Sequence, residues 1–169
     1  MIENKLLVMG DLEEFIKLRI SDQASITLTW EMIEKIGIDA ETLRKAARGN
    51  SRNTVEITPL ASKLCDLTGI PYLEDEDNMY YEGQIFVLTC NNNINGASAM
   101  LFDDVLDDIA MNCDVDELTI LPSSIHEVLI YAGNMKKEKD DIDDMITEIN
   151  ENEVSKFERL SNHAYHYFR

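Results

Sequence analysis

The sequence predicts an α+β protein, with a mainly antiparallel sheet and helices packed mostly on one face, and three observations carry that prediction. The apolar period switches repeatedly between alternation and helical spacing; strand-like runs come in pairs joined by short turns; and single amphipathic stretches separate those pairs. The elements follow in chain order. Asp11 is placed to cap a first turn, and Leu12, Phe15 and Ile16 follow it at helical spacing, so a helix is expected from Leu12 to Ile20. Ser25-Ile-Thr-Leu-Thr-Trp30 alternates as a strand does. Met32, Ile33 and Ile36 resume helical spacing, which Gly37 stops. Asp39 opens another helix carrying Thr42, Leu43, Ala46 and Ala47 and ending at Gly49-Asn50. Thr54-Val-Glu-Ile-Thr58 alternates again and meets Pro59.

Glu74-Asp-Glu-Asp-Asn78 has no apolar period and reads as a loop or linker; it lacks the Gly and the closing Glu of a calcium loop. Gln84 to Cys90 is a strong strand, and the Asn-rich stretch Asn91 to Gly96 tolerates positive φ, so a hairpin into a strand over Ala97 to Leu101 is expected. Val105, Leu106 and Ile109 give a helix closing at Cys113. Leu118 to Leu121 and Glu127 to Tyr131 are the next two strands. Ile142, Met145, Ile146 and Ile149 mark an amphipathic helix over Asp140 to Glu151, and His163 to Arg169 reads as a final strand. Residues 1–73 are thus an N-terminal helix with a β-α-α-β section, and residues 74–169 a β-β-α-β-β-α-β section forming one compact unit with the first. The expected core holds Ile26, Leu28, Ile57, Phe86, Leu88, Val105, Ile109, Leu121, Val128, Ile130, Ile146 and Ile149.

The most informative stretch is Ile120-Leu-Pro-Ser-Ser-Ile-His-Glu-Val-Leu-Ile130, where two apolar runs enclose a polar knot. Pro122 removes a backbone donor and the serines bond their own backbone, so the chain bends there and gathers Ser123, Ser124, His126 and Glu127 at one corner. These four are the candidate binding site. A hydroxyl beside an imidazole and a carboxylate is the raw material of nucleophilic catalysis, and Ser124 and His126 share a strand face at i, i+2. Glu127 would then point the other way, and no Gly-x-Ser-x-Gly elbow exposes either serine. The simpler reading has the serines satisfying turn backbone and His126 bonding a carbonyl.

At 169 residues, with 44% hydrophobic and 28% charged residues, the chain has the composition of a globular domain. It has no run of about 18 apolar residues and no basic leader, which predicts a cytoplasmic protein with no membrane contact. Cys65, Cys90 and Cys113 are an odd count without C-x-x-C spacing, so buried free thiols are expected, not a disulfide framework or zinc site. His163 and His166 would face opposite sides of a strand, which defeats chelation, and the paired Asp103, Asp104, Asp107 and Asp108 are explained by an exposed helix start. No cofactor or metal is expected.

The formal charge of −18 is uneven: residues 1–70 hold 9 basic and 11 acidic side chains, net −2, and residues 71–169 hold 6 and 22, net −16. Such a surface disfavours direct binding to nucleic acid and suits a basic protein partner. The leading expectation is a non-enzymatic interaction or regulatory module whose acidic half meets a basic partner. The alternatives are a hydrolase using Ser124 and His126 and an acidic nucleic-acid mimic. Oligomeric state is not readable.

The strand with Val87-Leu88-Thr89, then Gly96-Ala97, Val105-Leu106, Ile109-Ala110, the whole Ile120 to Ile130 element, Asn150, Glu153-Val154, Leu160-Ser161, Tyr165, Tyr167 and Arg169 together resemble the C-terminal part of a bacterial domain-of-unknown-function family common among gut clostridia. The likeness covers roughly Ile85 to Arg169, with Ile26 to Leu60 similar to the preceding segment. Family members usually carry Tyr-Pro-Gly where this chain has Phe102-Asp103-Asp104, and larger members carry a further N-terminal region. The resemblance implies a shared fold and assigns no activity, cofactor or catalytic residue.

Overall fold

A computed structural model describes residues 6–8, 11–21, 24–69, 71, 80–135 and 139–169. The chain divides into two units, Met1–Asn53 and Thr54–Arg169. The expected loop over residues 74–78 lies outside the described residues.

The first unit is built from two hairpins and two helices. β1 (Leu6–Val8) pairs antiparallel with β2 (Leu12–Glu14), and β3 (Lys17–Ser21) pairs antiparallel with β4 (Ala24–Thr27). The expected helix over Leu12 to Ile20 is therefore corrected to two strands. The physical reason is the alternation Lys17-Leu-Arg-Ile20, which sets Leu18 opposite Ile26 across the hairpin, a pairing that helical spacing cannot supply. The strand expected through Trp30 stops at Thr27, because Thr29 caps the helix that follows: its hydroxyl accepts the Met32 N–H at 3.3 Å. That helix, α1 (Trp30–Ile36), ends as expected at Gly37, which takes φ of +74° and caps the Ile33 and Glu34 carbonyls. α2 (Ala40–Arg52) starts on Asp39, whose carboxylate accepts the Glu41 and Thr42 N–H groups.

Over residues 11–21 and 24–53 Leu12 and Ile33 are the buried apolar side chains, and Ile26, expected in the core, is 42% exposed. An ionic clamp adds to this packing. Arg44 Nε lies 2.8 Å and Arg48 Nε 2.9 Å from the Glu14 carboxylate, which is 12% exposed. Burial alone raises the Glu14 pKa, but the hydrogen bonds and charges of Arg48 and Arg44 outweigh it and hold the carboxyl below its ordinary 4.5. Because the folded value is depressed, the stabilisation is fully present above 4.5 and is lost as pH falls through the lowered folded value. Glu14→Gln should remove about 1–2 kcal/mol near neutrality and flatten the acid-induced loss below the ordinary carboxylate value. Trp30, the single tryptophan, sits in this unit and reports the unfolding by fluorescence.

The second unit carries a five-stranded antiparallel sheet. Its strands are β5 (Glu56–Pro59), β6 (Ile85–Thr89), β7 (Glu117–Pro122), β8 (Glu127–Ala132) and β9 (Tyr165–Phe168), in the spatial order β5-β6-β8-β7-β9. The α+β class and the antiparallel pairing agree with the sequence reading. Register sorts the side chains by face. Phe86, Ile130 and Ile120 align on the first face, and Val87, Leu129 and Leu121 on the second. α4 (Asp103–Asn112) lies on the first face, where Tyr167 of β9 reaches Asp107. α5 (Lys139–Glu153) lies on the second, with Ile142 and Ile146 packed beside Leu121, Leu129 and Ala164. α3 (Leu60–Thr68) is tied to that second face through Lys63 and Glu127. The sequence reading missed α3, although Leu60, Leu64 and Leu67 recur at helical spacing before Gly69.

Two further corrections concern packing. The expected strand over Ala97 to Leu101 is a 3-10 helix, Gly96–Leu101, folded against the end of β6. Ile149, expected in the core, is 46% exposed, because the buried stripe of α5 runs through Ile142, Ile146 and Asn150 at four-residue steps. Buried Asn150 donates through Nδ2 to the Ser161 carbonyl at 2.9 Å and to Asn162 Oδ1 at 2.8 Å, which joins α5 to the segment entering β9. Leu28 and Ile57 are half-buried; Phe86, Leu88, Val105, Ile109, Leu121, Val128, Ile130 and Ile146 are buried as expected. Cys90 and Cys113 are buried free thiols and Cys65 is half-buried. Burial pushes the Cys113 thiol up to about 11, against a hydrogen bond to the Tyr81 backbone, which keeps it protonated and unreactive near neutrality. No helix among the described residues is long and apolar enough to cross a membrane.

Candidate functional site

The four candidate residues lie where β7 turns into β8. Ser123 to His126 form the connection, and Glu127 is the first residue of β8. The turn closes by backbone bonding: the Ser124 N–H donates to the Glu127 carbonyl at 3.1 Å, and the His126 N–H donates to Ser124 Oγ at 3.1 Å. Ser124 thus spends its oxygen on the turn itself. The Ile125 N–H donates to the Glu158 carbonyl at 2.8 Å, and the Ile125 carbonyl accepts the Ala97 N–H at 3.1 Å, so two distant segments are stitched to the tip.

The imidazole of His126 is held by groups outside the hairpin. Nδ1 lies 3.3 Å from the Asn95 N–H and 3.2 Å from the Asn93 carbonyl, and Nε2 lies 3.5 Å from Glu158 Oε1. A donor and an acceptor therefore meet at one ring nitrogen. Neutral imidazole protonated on Nε2 takes the Asn95 N–H at Nδ1; imidazolium donates instead to the Asn93 carbonyl while Nε2–H faces Glu158.

The loop that supplies those partners has unusual backbone. Asn91, Asn92, Asn93 and Asn95 all take φ between +55° and +61°, a region that asparagine tolerates better than most side chains. Gly96 follows with its α-carbon pressed on β6: a Cβ there would meet Thr89 Oγ1 and approach the Cys90 carbonyl oxygen to 2.5 Å and nitrogen to 2.6 Å. Thr89 Oγ1 in turn donates to the His126 carbonyl at 2.8 Å. The asparagine loop, the end of β6 and the hairpin tip are consequently one bonded cluster.

Ser123 is half-buried in the connection. Glu127 points away from His126, as strand alternation requires, and its Oε2 accepts from Lys63 Nζ at 2.9 Å. Among the described residues no hydrogen bond links the Ser124 hydroxyl to the imidazole. The site brings together His126, Asn93, Asn95 and Glu158, leaves Ser124 to the turn and sends Glu127 to α3. It presents hydrogen-bonding groups at the surface, flanked in sequence by the exposed apolar side chains of Ile94 and Phe157. Among the described residues no group of three or more His, Cys, Asp or Glu is placed to hold a metal ion. His163 lies before β9, with Nδ1 3.1 Å from the Ala164 carbonyl, and His166 pairs with Glu117.

An α+β protein with an asparagine loop locked over a hairpin histidine is what the fold and site define. No curated protein and no solved structure matches the chain. A family model described as a family of unknown function, DUF5688, matches residues 15–169, and the chain belongs to that family. Asn93, Asn95, Glu158, Lys63 and Thr89 were not found by sequence reasoning; the one available signal was the run of asparagines suited to positive φ.

Proposed function

We propose that this protein is a non-enzymatic cytoplasmic interaction or regulatory module whose acidic second half meets a basic protein partner. The observation that carries this reading is the charge on the outer surfaces of α4 and α5. α4 contains Asp103, Asp104, Asp107 and Asp108 and no basic residue, and α5 exposes Asp141, Asp144, Glu148, Glu151 and Glu153. Net charge of this kind raises the local concentration of cationic partners and speeds their encounter. The two helices lie on opposite faces of the sheet, so their carboxylates do not line up as one continuous phosphate-like face, and nucleic-acid mimicry gains no support. The Ser124 hydroxyl bonds the His126 backbone N–H and the imidazole bonds the Asn93 and Asn95 backbone, which likewise lends none to hydrolysis.

Surface electrostatics of this kind is screened within about 10 Å at about 0.1 M salt. The full chain, immobilised and exposed to soluble cytosolic protein at low ionic strength, should retain proteins of high isoelectric point and release them between about 0.2 and 0.3 M NaCl. A variant carrying Asp104→Asn, Asp108→Asn, Glu148→Gln and Glu151→Gln should retain markedly less. A retained set no more basic than the input, or elution indifferent to salt, would refute the proposal.

A further inference from the structure

We propose that the basic partner binds as an added strand along the free edge of β9, as an extended segment whose cationic side chains meet the carboxylates flanking that edge. This rests on the preceding reading that the partner is basic, and it supplies the place and the conformation of binding.

Among the described residues, β9 is open along its outer side. The spatial order of the sheet ends at β9, which pairs with β7 alone among the described strands. The Arg169 N–H donates to the Asp116 carbonyl at 3.0 Å, so Arg169 aims its backbone polar groups at the β7 side. In an antiparallel ladder that direction alternates residue by residue. Tyr167 and Tyr165 therefore face β7 with their N–H and C=O groups, and His166 and Phe168 direct theirs outward. The outer edge carries two donors and two acceptors at the spacing an incoming strand requires.

The other edge is blunted. β5 ends in Pro59, which has no N–H, and the chain passes directly into α3. β9 is Tyr-His-Tyr-Phe, a run of high strand propensity without proline, lysine or a bulge to discourage pairing.

Charge selects the occupant. On the first face the Tyr167 hydroxyl donates to Asp107 Oδ1 at 2.8 Å, with the Asp103 carbonyl 3.3 Å away and Asp104 exposed on the same turn. Burial first, and then the Asp107 hydrogen bond and the charges of Asp107 and Asp103, push the Tyr167 hydroxyl up to about 12. On the second face Asp116 is exposed just before β7, and Glu117, whose Oε1 lies 2.9 Å from His166 Nδ1 and whose Oε2 accepts from Asn134 Nδ2 at 2.8 Å, adds negative charge behind it. Phe168, 69% exposed and stacked on His166, offers an aromatic surface to the stem of a lysine or arginine. A second copy of the chain would bring these same carboxylates against each other, so self-pairing at β9 is opposed.

The test uses the full chain and three fluorescent ten-residue probes: alternating Lys–Thr, alternating Lys–Gly of equal charge, and alternating Glu–Thr. At about 20 mM salt the Lys–Thr probe should bind about tenfold or more tighter than Lys–Gly, because only the former favours an extended strand. Glu–Thr should not bind. On the wild-type chain, Lys–Thr should slow amide exchange at His166 and Phe168, whose N–H groups point outward, with little change at Tyr165 and Tyr167. Phe168→Pro removes one outward donor and leaves the β7-facing groups in place; it should abolish the preference for Lys–Thr, while Phe168→Leu keeps it. Equal binding of both lysine probes, insensitive to Phe168→Pro and without protection at His166 and Phe168, would overturn the edge proposal while leaving the basic-partner reading standing. Failure of both lysine probes to bind would overturn that reading itself. A wild-type dimer that Phe168→Pro converts to monomer would give the edge to a second copy and overturn the proposal.

Discussion

Gly96→Ala should lower stability by about 2–4 kcal/mol in urea denaturation, although it adds only a methyl group. The added methyl would stand 2.5 Å from the Cys90 carbonyl oxygen and 2.6 Å from the Cys90 nitrogen, and these are backbone atoms of the chain leaving β6 that cannot rotate away. Relief comes only if the 3-10 helix Gly96–Leu101 lifts from β6. That movement would pull Asn93 and Asn95 from His126 and disturb the Thr89 hydroxyl that holds the His126 carbonyl. The His126 ring resonances should therefore shift together with the loss of stability. A variant as stable as wild type with unchanged His126 signals would show that the loop is not pressed on β6 as described.

The second large effect is expected at Ile130. It sits in β8, near the middle of the sheet, between Phe86 and Ile120, and all three are fully buried. Truncation to alanine removes buried methyl and methylene groups and leaves a cavity that the paired strands cannot close, so a loss of about 2–5 kcal/mol is expected. Ile149→Ala removes the same atoms from a position 46% exposed on α5 and should change stability by less than about 1 kcal/mol. Chemical denaturation of the two variants side by side separates the sheet core from the helix flank. Equal effects would contradict the burial of the first face.

The hairpin from Leu118 to Tyr131 was legible because strand pairing is written locally: alternating apolar residues, a proline and two serines place both strands and the bend between them. α1, α2 and α4 were legible for the same reason, since Gly37, Asp39 and the spacing of Val105, Leu106 and Ile109 are local signals. Residues 12–20 were misread because Leu12, Phe15 and Ile16 also satisfy helical spacing; the pairing of Leu18 with Ile26 decides between the two, and it is a contact between separate segments. The turn at Gly96 was misread as a hairpin because the close approach of Gly96 to Thr89 and Cys90 leaves no pattern in the sequence beyond a glycine after asparagines. The site was half legible. His126 at a bend could be read from its neighbours, but Asn93 lies 33 residues away in sequence, and Glu158 comes from the segment after α5.

The hairpin tip explains how the fold holds His126, and the carboxylates of α4 and α5 are the surface that the proposed cationic partner would meet. Binding by the acidic half is the central claim, and calorimetric titration of the full chain with polylysine tests it most directly. Saturable binding at about 20 mM salt, weakened about tenfold or more at about 200 mM, is the predicted result. An absence of binding at the lower salt, or an affinity that salt leaves unchanged, would contradict it.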